Sequence, residues 1–272
     1  MSNSWLITGV SRGIGFALLK NLSENPENIV IGLVRDKVTT DKKIADEIGN
    51  RSNIHIFQAD LLNFDDLKNT VEPVSQITGG RIDNIIANAA LLQHPDVNFP
   101  IGVAAENPER LEEAFLDTFR VNVLGQVKLF TVYMPLLLKG RSKKAVAISS
   151  AMGDLTMIRT INMKLSAPYA VSKAALNAVI AKYHAQYHEE GVLFLAICPG
   201  FVETGQYGEI TPKEAAYVGE MVESFSKHAP DARKREPYEA ANDILSVMNK
   251  ASLENGDGGQ FLSHLGSTTQ WL

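Results

Sequence analysis

The stretch SWLITGVSRGIG, Ser4 to Gly15, decides the fold. Its first half is apolar enough to be a buried strand, and the glycines that follow sit where a strand would turn tightly into a helix carrying FALLKNL. In T-G-V-S-R-G-I-G, Gly9 permits the turn, Gly13 lets backbone approach a pyrophosphate, and Gly15 lets helix and strand pack closely. The helix N-terminus would then face the anion. Three glycines carry little by themselves; their place between a first strand and a first helix is what points to a dinucleotide site. Ser11, Arg12 and Ile14 fill the loop and join the glycines as cofactor candidates.

Outward from that turn the chain keeps alternating. NIVIGLVR, NIHIFQAD, RIDNIIANAA, KKAVAISS and VLFLAICPG read as further strands. DDLKNTVEPVSQI, a long helix from Pro108 to near Gly140, and PYAVSKAALNAVIAKYHAQYHEE, stopped at Gly191, lie between them. This alternation predicts an α/β fold, a doubly wound (Rossmann) parallel sheet of about seven strands with helices on both faces. No linker, charge block or repeat divides the chain, so residues 1–272 read as one domain. Two connections break the rhythm, 89–108 and 201–237, and both follow strands at the edge where open α/β sheets bind ligands. The second reads as a substrate-binding loop and helix region.

With 272 residues, 45% hydrophobic and 21% charged, the chain can bury a substantial core. A formal charge of −5 gives no footprint for nucleic acid. Cys198 is the one cysteine, which excludes an internal disulfide framework and a cysteine-based zinc site and suggests a reducing compartment. No signal-like opening and no apolar run of membrane-spanning length is found, so a soluble, cytoplasmic protein is expected.

Each strand end carries a candidate. The second ends Leu33-Val34-Arg35-Asp36: Arg35 and Arg12 could clamp a 2′-phosphate, favouring NADP(H), or Asp36 could take the ribose hydroxyls of NAD(H). Asp60, followed by Leu61, could accept from the adenine amino group or cap the next helix. Asn88 could brace the central strands and line the cofactor cleft, or be a turn residue. Asn122 sits in the long helix where its propensity is poor, with Gly125 close behind; together they suggest a bend that could hold a water. Ser149 and Ser150 end the fifth strand, and P-G-F-V-E-T, with Pro199, Val202 and Thr204, turns the chain over the crevice after the sixth.

Tyr169 and Lys173 stand four apart in S-A-P-Y-A-V-S-K, so a helix puts both on one face. A phenol titrates near pH 10, and a cation within about 4–6 Å favours the phenolate. Alone the pair reads as a half-buried tyrosine beside a snorkelling lysine on a surface helix, and it takes its chemical meaning from the motifs around it.

In this order, T-G-x-x-x-G-x-G, A-N-A-A, N-V-L-G, I-S-S, Y-A-V-S-K and P-G-F-V-E-T resemble the single-domain branch of the short-chain dehydrogenase/reductase family over essentially the whole chain. With the closing G-G-Q-F-L-S-H-L-G-S-T-T-Q-W, the sequence is similar to the sniffer-type carbonyl reductases and the fungal norsolorinic acid ketoreductase-like proteins. The resemblance implies a catalytic tetrad of Asn122, Ser150, Tyr169 and Lys173, with Ser150 chosen because it precedes x-x-G. It also implies that Tyr169 and Lys173 contact the cofactor, that Asn122 fixes a water, that no metal is needed, and that the chain forms a homodimer or homotetramer on helices beginning near Glu109 and Pro168. Ala87 and Ala90 depart from the family's N-N-A-G, and the interval from Ser150 to Tyr169 is long. Residues 151–167 therefore read as an enlarged active-site loop.

Substrate walls are expected from Leu91, Leu92, Met152, Leu155, Met157, Ile158, Met163, Phe201, Tyr207, Tyr217, Met221 and Phe225, unless part of this set is ordinary core. So apolar a lining suits a bulky hydrophobic carbonyl compound, aromatic or polyketide-derived. The leading expectation is an NADP(H)-dependent ketoreductase. An NAD-dependent alcohol dehydrogenase, or a non-catalytic nucleotide-binding or redox-sensing protein, would use the same fold.

Overall fold

A computed structural model describes residues 3–92, 97–203, 210–229 and 233–271. Strands β1 (Ser4–Thr8), β2 (Ile29–Val34), β3 (Ile54–Gln58), β4 (Asn84–Ala87), β5 (Lys144–Ile148), β6 (Leu193–Cys198) and β7 (Phe261–Ser263) form one 7-stranded sheet in the order β3-β2-β1-β4-β5-β6-β7. Every neighbouring pair is parallel. Such a sheet needs cover on both faces, which is why every residue of β1 and β6 is buried, β6 as an unbroken apolar run and β1 with apolar Trp5, Leu6 and Ile7 at its centre. The doubly wound α/β architecture expected from the sequence is the one observed.

Helices α1 (Gly13–Leu22), α2 (Lys37–Glu47), α3 (Phe64–Thr78), α4 (Ile101–Ala104), α5 (Pro108–Phe119), α6 (Gly125–Leu137), α7 (Leu155–Thr160), α8 (Ala167–Tyr187), α9 (Pro212–His228) and α10 (Pro237–Lys250) fill the connections. Alternate residues of β1 feed different cores. Ile7 joins Leu18, Leu19, Ile244 and Met248 under α1 and α10. Leu6 joins Leu67, Phe130, Tyr133, Leu176 and Ile180 under α3, α6 and α8. Each fully buried side chain of this size contributes about 1.5–3 kcal/mol.

The end of the sheet away from the crevice is pinned by Asp83. Its carboxylate accepts from Ser4 N at 2.9 Å, Arg141 N at 2.8 Å and Arg141 Nη2 at 3.0 Å. Burial alone would push its pKa up, but the bonds from Arg141 and Ser4 outweigh that and hold it at about 2. β1 and β4, the two strands that flank the crevice, are thus tied at their starts.

Two expectations are modified. The long helix over 108–140 is interrupted by a π turn, Arg120–Leu124, between α5 and α6. Residues 151–167 are not an open loop but a 3-10 turn, Ala151–Gly153, followed by α7. The reason is burial: Met157, Ile161 and Met163 form a small third core with Cys198 and Trp271. Trp271 stacks on Phe261 at 4.2 Å between ring centroids, so the C-terminal segment folds back beneath this insert. Among the described residues no helix is long and apolar enough to cross a membrane.

Candidate active site

The strand order runs outward in opposite directions from β1 and β4, and the crevice beyond their carboxyl ends is the topological switch point. Gly9 takes φ +73° and Gly13 φ +56°, conformations that favour glycine. A Cβ on Gly15 would lie 2.3 Å from the Gly9 carbonyl oxygen and 2.5 Å from Asn88 Nδ2, so the helix can approach the strand only without a side chain. No side chain caps α1 at Arg12, and no acidic residue stands in its first turn. The N–H groups of Gly13, Ile14 and Gly15 therefore lack intrahelical partners and point out of the helix, an arrangement that fits a pyrophosphate.

Asn88 braces this loop from the neighbouring strand. Its Nδ2 donates to the carbonyls of Thr8 at 3.0 Å and Gly9 at 3.3 Å. Thr8 Oγ1 accepts in return from the N–H groups of Asn88 and Ala89, both at 3.0 Å. Thr8 is absent from the sequence candidates, although it opens the glycine motif.

At the end of β2, Asp36 is spent on capping α2. One carboxylate oxygen accepts from Thr39 N at 3.0 Å and the other from Thr39 Oγ1 at 2.6 Å. The hydroxyl bond first and the backbone bond second lower its pKa. Arg12 and Arg35 are both exposed, and neither meets a carboxylate among the described residues. Asp60 does not cap α3: Asn63 does, accepting from Asp65 N and Asp66 N, because Asp60 lies too far before the first helical turn. Asp60 instead closes a local turn by accepting from Leu62 N at 2.9 Å. Leu61 is buried against Gly125, where a Cβ would come within 3.1 Å of Leu61 Cβ.

On the other bank, Pro168 stands in the first turn of α8 and Tyr169 and Lys173 follow on its inner face. Lys173 is 2% exposed, its Nζ donates to the Ile148 carbonyl at 2.7 Å, and it lies 5.5 Å from the centre of the Tyr169 ring. Burial pulls its pKa down to about 7. Loss of water is the leading cause, and the neighbouring Cys198 opposes it only in part. The two serines at the end of β5 differ. Ser149 is buried and bonded to Asn177 Oδ1 at 2.6 Å. Ser150 is half-buried, and its oxygen accepts from Met152 N at 3.2 Å, leaving the hydroxyl hydrogen to be given elsewhere.

Asn122 is fully buried in the π turn. Its Oδ1 accepts from Leu91 N at 2.7 Å, and its Nδ2 donates to the Leu91 carbonyl at 2.9 Å and to Ser172 Oγ at 3.0 Å. Ser172 Oγ donates on to the Tyr169 carbonyl at 2.7 Å. Both amide hydrogens are thus used within the protein, so the side chain acts as a clamp between α8 and the segment after β4. Gln126, missed by the sequence reading, does similar work one turn further: its Nε2 donates to the Ala89 carbonyl at 2.8 Å. Its spacing from Asn122 was the signal.

Cys198 Sγ accepts from Ala151 N at 3.2 Å and so ties β6 to the residue after Ser150. Pro199 is buried, Phe201 is 48% exposed, and Val202 pairs with Arg235 in a parallel bridge. Thr204 and Tyr207 lie outside the described residues. Of the expected substrate walls, Leu91, Leu92, Met152 and Phe225 are half-buried and Leu155 is 67% exposed. Met157 belongs to the third core. Ile158, Met163, Tyr217 and Met221 line a cavity of about 510 Å³ between α7 and α9, which Ser150, Tyr169 and Lys173 do not line. A Lys164–Glu220 ion pair at 2.8 Å joins the same two walls.

Residues 3–215 match the family model of the short chain dehydrogenases. The chain belongs to that family of nicotinamide-dependent oxidoreductases, whose substrates are small molecules. It is 46% identical over 270 residues to the short chain dehydrogenase virK of Hypocrea virens, covering 99% of each chain. With the short-chain dehydrogenase/reductase iacC of Pestalotiopsis fici it shares 41% identity over 270 residues, 98% of this chain and 99% of the relative. Its fold is similar to that of the carbonyl reductase Sniffer of D. melanogaster, with TM-score 0.76, 23% identity and 98% of each chain covered. The NADPH-bound carbonyl reductase from chicken fatty liver is a second structural neighbour, with TM-score 0.75, 21% identity and 99% of each chain covered.

Proposed function

We propose that the protein is an NADP(H)-dependent ketoreductase that interconverts a hydrophobic, aromatic or polyketide-derived ketone and its secondary alcohol. The observation that carries this reading is the grouping of Tyr169, a fully buried Lys173 and an available Ser150 hydroxyl beside a glycine turn open to a pyrophosphate. NADP(H) is favoured over NAD(H) because Asp36 is committed to its cap while Arg12 and Arg35 remain exposed for a 2′-phosphate. The first-turn N–H groups of α1 would hold the pyrophosphate, and Asp60, Asn88, Pro199 and Val202 would flank the remainder.

When bound, the nicotinamide supplies the hydride that reduces the carbonyl carbon. Tyr169 gives its phenolic proton to the carbonyl oxygen as negative charge develops there. Ser150, whose oxygen already accepts from Met152 N, directs its hydrogen at the same oxygen and holds it in place. Lys173 spends one donor on Ile148 and keeps the others for ribose hydroxyls, and in its charged form it lowers the cost of the phenolate. Asn122 keeps α8 in register with the segment after β4, so the tyrosine stays aimed at the crevice.

Residues 151–167 and 201–237 would supply the substrate-facing surfaces, and Ile158, Met163, Leu165, Tyr217 and Met221, the apolar part of a mixed lining between α7 and α9, support a bulky hydrophobic substrate. Leu116, Phe119 and Leu124 along the long helix and Val171 on α8 are exposed apolar groups that support pairing of two copies through these helices. Replacing Tyr169 by phenylalanine tests the chemistry. We expect NADPH titrated by fluorescence to bind as in the unaltered protein, while ketone-driven oxidation of NADPH falls by at least about 100-fold. Turnover by Tyr169→Phe at the unaltered rate would end the ketoreductase reading.

A further inference from the structure

We infer that Gln126 is a positioning residue for the dinucleotide, acting through the backbone of Ala89. The inference rests on the dinucleotide reading of the crevice and names a residue that sets its affinity.

The segment Asn88 to Leu91 leaves β4 at the switch point and forms one wall of the crevice. Three side chains hold it. Thr8 takes the N–H groups of Asn88 and Ala89. Asn122 takes both backbone groups of Leu91. Gln126, at the start of α6 and 1% exposed, takes the Ala89 carbonyl at 2.8 Å. Ala89 in turn abuts the first glycine of the phosphate loop: a Cβ on Gly9 would stand 3.0 Å from both Cα and Cβ of Ala89. A shift of Ala89 therefore moves the surface against which Gly9 turns.

The two amides on the long helix divide the work. Asn122 reaches Ser172 and through it the Tyr169 carbonyl, so it bears on the reacting end of the site. Gln126 bonds to none of the catalytic residues among the described residues, so it bears on the end where the dinucleotide lies. Its Oε1 is buried and finds no donor there, and because Nε2 points at a carbonyl the amide cannot be turned to relieve this. The side chain thus carries a buried polar atom that costs stability while its other end fixes the wall of the crevice.

This predicts an unusual separation of effects. Methionine has nearly the same length and volume, and Gln126→Met removes one hydrogen bond and one buried unpaired oxygen together, so thermal stability should move little. NADPH titrated by fluorescence should bind roughly tenfold more weakly. The kcat measured at saturating NADPH should stay within about twofold. Gln126→Leu, unbranched at Cβ but shorter, should behave likewise and guards against a folding defect peculiar to one variant. The inference is overturned if both variants bind NADPH as the unaltered protein does, if they lose thermal stability without losing affinity, or if kcat collapses while affinity holds. An unaltered protein that binds neither NADPH nor NADH would sink the dinucleotide reading itself, and this inference with it.

Discussion

On the β1–β2 bank of the crevice the groups offered to a ligand are mostly backbone: the turn through Gly9 and Gly13, and the free N–H groups of the first turn of α1. On the β5–β6 bank they are side chains, Ser150, Tyr169 and Lys173, set by partners both near and far in sequence. Lys173 leans on Ile148, Ser150 on Met152, and α8 is clamped to the segment after β4 through Ser172 and Asn122. In the proposed reading the first bank would bind whatever carries a pyrophosphate, and the second would act on one class of atom only when its partners are in place. Damage to the second bank should therefore cost rate, and damage to the first should cost affinity.

Lys173→Met presses hardest on that contrast. The lysine is buried with its pKa down at about 7, against an ordinary value of 10.5, so between those two pH values the unfolded chain holds a proton that the folded protein has released. Stability of the unaltered protein must then rise as pH increases through that window, where the unfolded state binds more protons. The methionine variant should lose this rise. Near neutral pH it should be more stable by on the order of 1–4 kcal/mol, while turnover drops at least about 100-fold. Thermal melts from pH 6 to pH 10, with single-turnover rates beside them, would check both. A variant less stable than the unaltered protein at every pH would mean that the lysine is held by more than its single carbonyl bond.

Arg35→Asp presses on the other bank and should have a smaller effect. Asp36 is bonded twice to Thr39 in the cap of α2, and the new carboxylate beside it would offer ribose hydroxyls an acceptor not held by a cap. NADPH affinity should fall by roughly 10- to 100-fold through repulsion of the 2′-phosphate and loss of one guanidinium, while NADH affinity holds or improves. Titration with both cofactors separates this from a general loss of binding. Unchanged preference would count for the NAD-dependent reading.

The contrast also explains what could be read from the residues alone. The glycine spacing was legible because only glycine fits φ +73° at Gly9 and the 2.3 Å approach at Gly15, so geometry and residue type are nearly the same statement. Tyr169 and Lys173 were legible because helical periodicity alone puts them on one face. Asn122 was noticed as an irregularity, yet its partners were not, because Leu91 and Ser172 are 31 and 50 residues away in sequence. Nor does anything local to Cys198 announce that it accepts from Ala151 N. The insert after β5 reads as a loop from the long interval between Ser150 and Tyr169, and nothing local shows that Met157 packs with Cys198 and Trp271, which come from distant parts of the chain.

Met221→Ala is the smallest and most discriminating test, because Met221 could belong to the substrate wall or to the core. It lines the 510 Å³ cavity with Ile158, Met163 and Tyr217, yet Ser150, Tyr169 and Lys173 are not in the lining. If the cavity takes the far end of a bulky ketone, shortening Met221 removes contacts made equally in ground and transition states. KM for that ketone should then rise by roughly 3- to 10-fold with kcat little changed and NADPH affinity untouched. If the side chain is only packing, the loss appears as stability. Met221 is half-buried, so the cost would be about 1–2 kcal/mol, below the range for fully buried methionine, with KM unmoved. Measuring KM and thermal stability on the same variant therefore assigns the wall between α7 and α9 either to the substrate or to the core.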